Sequence, residues 1–140
     1  MGGRRLSREL ALQVLFQIDL VNANLTESLR YVFENNTYSE QVKEFTLNIV
    51  KGVMANLIEI DKTIKKNTDN WSLERINNID RNILRIAIYE ILFRDDIPKS
   101  VSINEAVEIA KKYGTESSFS FVNGVLGKID KRTIKIKEES

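Results

Sequence analysis

The chain reads as one all-α domain, and three observations lead there. It has a single proline in 140 residues, no alternating apolar and polar run of convincing strand length, and apolar residues recurring every three or four positions through most of its length. That length suits one ordinary domain that buries a core without metals or disulfides.

The first helix is expected from about Arg4 to Val21, with Leu10, Ala11, Val14, Leu15, Ile18 and Val21 on one face. Arg5, Leu12 and Phe16 fall opposite that stripe, Arg8 on its flank and Arg4 close to Arg8. Asn24 to Glu27 can cap a short second helix that turns Leu25, Leu29, Val32 and Phe33 inward. After a turn at NNTYSE, with capping options at Thr37 and Ser39, the residues Val42, Phe45, Ile49, Val53, Leu57, Ile60 and Ile64 mark a long helix or two collinear ones. Gly52 and Asn56 are the candidate break points. The polar loop KKNTDN follows, and Trp71 and Leu73 lead into the next helix.

From about Asn78 to Arg94 the apolar residues surround nearly the whole circumference, so this helix must be enclosed by others. Arg81, Asn82, Arg85 and Tyr89 leave only a narrow polar strip. Asp80 sits in the first turn, where a carboxylate favours the helix dipole and can complete a capping box with Asn77. The next helix is expected to open on the capping box Ser102-Ile103-Asn104-Glu105 and to close at Gly114 in the left-handed conformation, with Thr115 capping the last helix. In that last helix Phe119, Val122, Val125, Leu126 and Ile129 share an apolar arc, while Ser117, Phe121, Gly124 and Lys128 share the neighbouring stripe.

Composition removes several function classes. With no cysteine and no histidine, the chain has no cysteine nucleophile, no Ser-His-Asp machinery and no zinc site of the usual kind. No carboxylate pair, metal-ligand cluster or phosphate-cradling loop stands at diagnostic spacing, so neither an enzyme nor a cofactor or metal is expected. The N-terminus lacks an apolar signal core and no segment approaches a membrane span, which fits a cytoplasmic protein and no membrane partner.

The net charge of +1 hides an uneven distribution. Residues 1–8 hold three arginines and no acid, and residues 128–137 hold Lys128, Lys131, Arg132, Lys135 and Lys137 against Asp130 alone. Residues 9–127 carry 13 basic and 17 acidic side chains. If the first and last helices pack side by side, their ends form one basic surface bearing Phe16 and Phe121, and the acidic middle stays free for a basic protein. Rings interleaved with guanidinium groups suit single-stranded RNA, because rings stack on bases and arginine forks clamp phosphates. The plainer alternative is that Phe121 packs on another helix and the terminal cations are solvated. Lys111 and Lys112 join the candidate surface on charge alone.

Three stretches, RRLSRELALQVLFQIDL, IDRNILRIAIYEIL and SINEAVEIAKKYGTESSFSFVNGVLGKI, resemble the NusB family of bacterial transcription antitermination factors. The likeness runs from about Arg4 to Asp130. It implies a seven-helix fold of two three-helix bundles plus one further helix, acting without enzymatic activity. It also implies a partner, NusE (ribosomal protein S ten), with which the family binds boxA RNA in the transcription elongation complex, notably on ribosomal RNA operons. By the same resemblance Arg4, Arg5, Arg8, Phe16 and Phe121 belong to the RNA surface, and Ser117 lies near it. Glu74 and Asp80 match acidic positions of the NusE contact, although Asp80 stands where relatives often have glutamate.

The expected organisation is a single helical RNA-binding domain over 1–140, with 131–140 a basic then acidic tail. Two rival readings are a detached module like the N-terminal part of ribosomal RNA cytosine methyltransferases, and a purely structural helical scaffold or dimer. Whether the free chain is a monomer or a homodimer stays open at this stage.

Overall fold

Five helices lean on one. The computed structural model describes residues 2–69 and 72–130, which form seven α-helices and one 3-10 turn: α1 (Gly2–Val21), α2 (Leu25–Glu34), α3 (Glu40–Ala55), α4 (Leu57–Lys66), the turn Leu73–Arg75, α5 (Asn78–Phe93), α6 (Lys99–Tyr113) and α7 (Ser118–Gly127). α1, α3, α4, α6 and α7 all pack on α5, which explains why its sequence is apolar nearly all round. α5, α6 and α7 pack mutually as one bundle, α1 carries α2 and α3 as the other, and α4 bridges α3 and α5. The tail 131–140, with Lys131, Arg132, Lys135 and Lys137, lies outside the described residues, as do Asn70 and Trp71.

Local chemistry sets most helix ends. Asn24 Oδ1 accepts from Glu27 N at 3.1 Å, Ser39 Oγ from Val42 N at 3.2 Å and Asn77 Oδ1 from Asp80 N at 2.9 Å, so three starts carry side-chain caps. Asn22, at φ 54°, ends α1 in the left-handed region that asparagine tolerates better than most residues. The long apolar repeat of the middle divides at Asn56, whose amide donates back to Gly52 O at 2.8 Å. Gly52, the other expected break point, lies inside α3: a Cβ there would overlap the Tyr89 ring, so glycine serves the close packing of α3 on α5.

Two expectations about α6 fail. The helix starts at Lys99 after Pro98, so Ser102 is not a cap but a fully enclosed residue one turn in, donating to Glu90 Oε1 at 2.9 Å. Proline has no N–H to leave unsatisfied, which makes it a serviceable residue at a helix start. Gly114 ends α6 with φ −93° and ψ −165°, extended rather than left-handed. A side chain at this position would collide with Ser118, whose hydroxyl accepts from Thr115 N at 2.8 Å and shapes the turn into α7 in place of the expected Thr115 cap.

The expected polar strip of α5 is also inside. Asn82 and Arg85 are buried, and Arg81, Arg85 and Asn82 converge on Asp19 of α1, while Arg85 also forks onto Asp61 of α4 at 2.9 and 3.0 Å. Burial pushes the Asp19 carboxyl up, but the bonds from Arg81 and Asn82 and the charge of Arg85 outweigh it and hold it below the ordinary value. Polar residues on this face therefore join helices rather than face water.

Candidate nucleic-acid interface

The three N-terminal arginines have three different environments. Arg4 is exposed, with its guanidinium 4.5 Å from the centroid of the Phe45 ring of α3. Arg5, 47% exposed, forks onto Glu105 of α6 at 2.8 and 2.7 Å. Arg8 corrects the sequence expectation: its side chain is only 4% exposed and is spent on Glu90 of α5 at 2.7 and 2.9 Å. Arg5 and Arg8 lie only about 60° apart around α1, but that offset takes Arg8 from the rim into the junction of α1, α5 and α6, where Glu90 lies. It holds the start of α1 in place and offers no free edge to a ligand.

The end of α6 meets the same helix through long side chains. Lys112 Nζ lies 2.9 Å from Glu9 Oε1, and Tyr113 donates its hydroxyl to the same oxygen at 2.7 Å. Lys111 contacts Glu108 at 3.3 Å and sits 5.7 Å above the Phe119 ring. Glu105 is held below the ordinary carboxylate range chiefly by the Arg5 hydrogen bond, and Glu9 raises the Lys112 ammonium above its usual value. Arg5, Lys111 and Lys112 are thus each matched to a carboxylate, which charge counting along the chain does not show.

The two candidate rings are neither sealed nor adjacent. Phe16 is half-buried in a groove of about 270 Å³ with Tyr38, Ile79 and Tyr113. Phe121 is half-buried in another of the same size, between α7 and the end of α4, with Asn67, Asp69, Ser120, Gly124 and Lys128 around it. Lys128 reaches the Asn67 carbonyl at 3.5 Å, and Gly124 leaves the groove open because nothing lies near its Cβ position. The expected stripe Phe121, Gly124, Lys128 is therefore real. The assumed packing of α1 against α7 is not: both lean on α5 without substantial contact with each other. Ser117 is exposed, its hydroxyl 3.3 Å from that of Thr115. Phe119, expected in the core, is 44% exposed, because Ser118 takes the inward position with Val122 and Val125 and leaves Phe119, about 100° further round, at the edge of the buried arc.

Just before α5, Glu74 is exposed and accepts from Ser72 Oγ at 2.7 Å. Asp80, placed with it as a partner contact, is 5% exposed: Asn77 Nδ2 donates to its Oδ2 at 3.0 Å, while Oδ1 is buried with no hydrogen-bond partner. Its visible task is to cap α5.

Among the described residues no group of His, Cys, Asp and Glu could hold a metal, and no helix is long and apolar enough to cross a membrane. Helical packing with cations and half-open rings at the rim defines a macromolecule-binding protein of the all-α class. Comparison with known proteins gives the family. Residues 5–131 match the NusB family, and the chain belongs to it. It is 47% identical over 129 residues to the transcription antitermination protein NusB of Acetivibrio thermocellus, covering 92% of this chain and 89% of that one. Among solved structures it is similar to T. maritima NusB, with a TM-score of 0.85, 40% identity and coverage of 98% and 97% of the two chains. A second likeness, with a TM-score of 0.83, 30% identity and coverage of 91% and 95%, is to a structure of the antitermination factors NusB and NusE in complex with double-stranded RNA. These relatives are transcription antitermination proteins, and the chain matches them over most of its length.

Proposed function

We propose that this chain is a cytoplasmic transcription antitermination factor that binds boxA-type single-stranded RNA together with NusE, within the elongation complex on ribosomal RNA operons. The observation that carries it is the likeness, over 91% of the chain, to a NusB solved with NusE and double-stranded RNA; the preference for a single strand rests on the half-open rings Phe16 and Phe121, which suit unstacked bases. RNA phosphates meet Arg4, Arg5, Lys111, Lys112 and Lys128, bases stack on Phe16 and Phe121, and Ser117 borders the track. Two separated grooves make two stations for an extended strand rather than one pocket. Glu74 faces the basic partner, and Asp80 shapes the start of α5 behind it.

The relatives it matches are whole NusB proteins, which favours this reading over a module detached from a methyltransferase. A homodimer of the free chain would cover part of the same surface. The test is a titration of boxA-like, scrambled and duplex RNA, with and without NusE. The boxA-like strand should bind best, and better with the partner present. If about four phosphates are neutralised, log affinity should fall with log salt at a slope of roughly −3. No preference among the three RNAs, with no salt-dependent binding of any of them, would favour a scaffold that meets protein only.

A further inference from the structure

The cations nominated for RNA are not equally available, and the geometry of their carboxylate partners is asymmetric. Arg5 and Lys112 are 47% and 58% exposed, whereas Glu105 and Glu9 are 15% and 16% exposed. The acids are fixed in the seam between α1 and α6, and the cations are the outer arms laid over them. Glu105 takes Nε and one Nη2 proton of Arg5 and also lies 3.7 Å from Arg8, while Glu9 holds both Lys112 and the Tyr113 hydroxyl. Neither acid caps a helix: Glu105, expected in a capping box, turns to Arg5 instead, and Glu9 was not picked out by the sequence.

We propose that Glu105 and Glu9 temper RNA affinity by neutralising Arg5 and Lys112 in the free protein, so that this chain holds an arriving strand weakly until base and partner contacts are also made. This inference rests on the RNA-binding reading above. A guanidinium has five N–H donors, so Arg5 can keep its fork on Glu105 and still offer the remaining three to a phosphate. That phosphate then lies within several ångströms of a fixed negative charge. Coulomb repulsion at such a distance, in the partly screened setting of a protein surface, weakens binding by about three- to tenfold per site. A cation already paired also draws in a phosphate with less long-range attraction, which flattens the salt dependence.

The test uses the full chain with its NusE partner and the same RNA oligonucleotides, comparing wild type with Glu105→Gln, Glu9→Gln and the double variant. Glutamine keeps an acceptor for the cation and removes the charge, so the arm stays positioned. Each single variant should bind about three- to tenfold more tightly at low salt, with the salt slope steeper by up to about 0.7. BoxA-like and scrambled strands should gain alike, because these cations touch phosphate rather than base edges. Far-ultraviolet circular dichroism confirms that each variant is folded, and Arg5→Gln in the wild-type background should weaken binding. If wild type binds RNA and the neutralised variants bind no more tightly, with unchanged slope, the tempering role is wrong and the RNA reading survives. If neither wild type nor variants bind RNA, both fall together.

Discussion

Glu90→Gln is the sharpest test of how the N-terminal helix is held. Glu90 is 1% exposed and accepts from Arg8 Nε at 2.7 Å, Arg8 Nη2 at 2.9 Å and Ser102 Oγ at 2.9 Å, joining α5 to α1 and α6. Glutamine has the same shape but sets an N–H₂ donor against one of these donors and leaves the buried Arg8 guanidinium with only the Glu105 carboxylate, 3.7 Å away at the rim, as counter-charge. Removing one member of a buried pair costs about 3 to 5 kcal/mol, a large share of the roughly 5 to 15 kcal/mol that stabilises an ordinary domain. At about 2 to 4 °C per kcal/mol for a domain near this size, Tm should fall by roughly 6 to 20 °C. The assay is thermal and urea denaturation of wild type, Glu90→Gln, Glu90→Leu, Arg8→Met and the double Arg8→Met/Glu90→Leu. The double should lie closer to wild type than either single, because an apolar pair leaves no charge stranded. A single Glu90→Gln loss under about 1 kcal/mol, or a double variant worse than the sum of its parts, would refute a buried pair as the pin of this junction.

Two further outcomes follow from the same contacts. Phe121→Ala should weaken RNA binding by about 1 to 3 kcal/mol if the ring stacks on a base, while urea stability changes less; a stability loss larger than the binding loss would make Phe121 a core residue. In acid, the Asp19 cluster should contribute a stability step: its folded value is depressed, so the contribution is fully present above the unfolded value near 4 and is lost as pH falls through the folded value. Melting temperature measured from pH 6 down to pH 2 should drop less steeply in Asp19→Asn than in wild type.

Much of the fold was legible because helix periodicity and capping are local. The stripe of α3 and α4, the enclosure of α5 and the caps at Asn24, Ser39 and Asn77 all follow from residues within a few positions of one another. The misses share one cause. Ser102 resembled a cap because serine, asparagine and glutamate stood at capping spacing, yet its hydroxyl goes to Glu90 on another helix. Phe119 fitted an apolar arc, yet the packing of α7 turns Ser118 inward and leaves Phe119 in water beside Lys111.

The candidate site divides in the same way. Phe121, Gly124 and Lys128 were readable as a group because they lie on one face of one helix. Arg5 and Arg8 looked alike in the sequence, and only their partners, Glu105 at the rim and Glu90 in the interior, separate an exposed arm from a buried pin. Resemblance among residues along the chain, then, was enough for the helices, their order and the family. Which cation is free, which is neutralised and whether two rings share a surface depended on the tertiary structure, because charges and rings interact with whatever lies a few ångströms away in space, and those neighbours come from helices as many as a hundred residues apart.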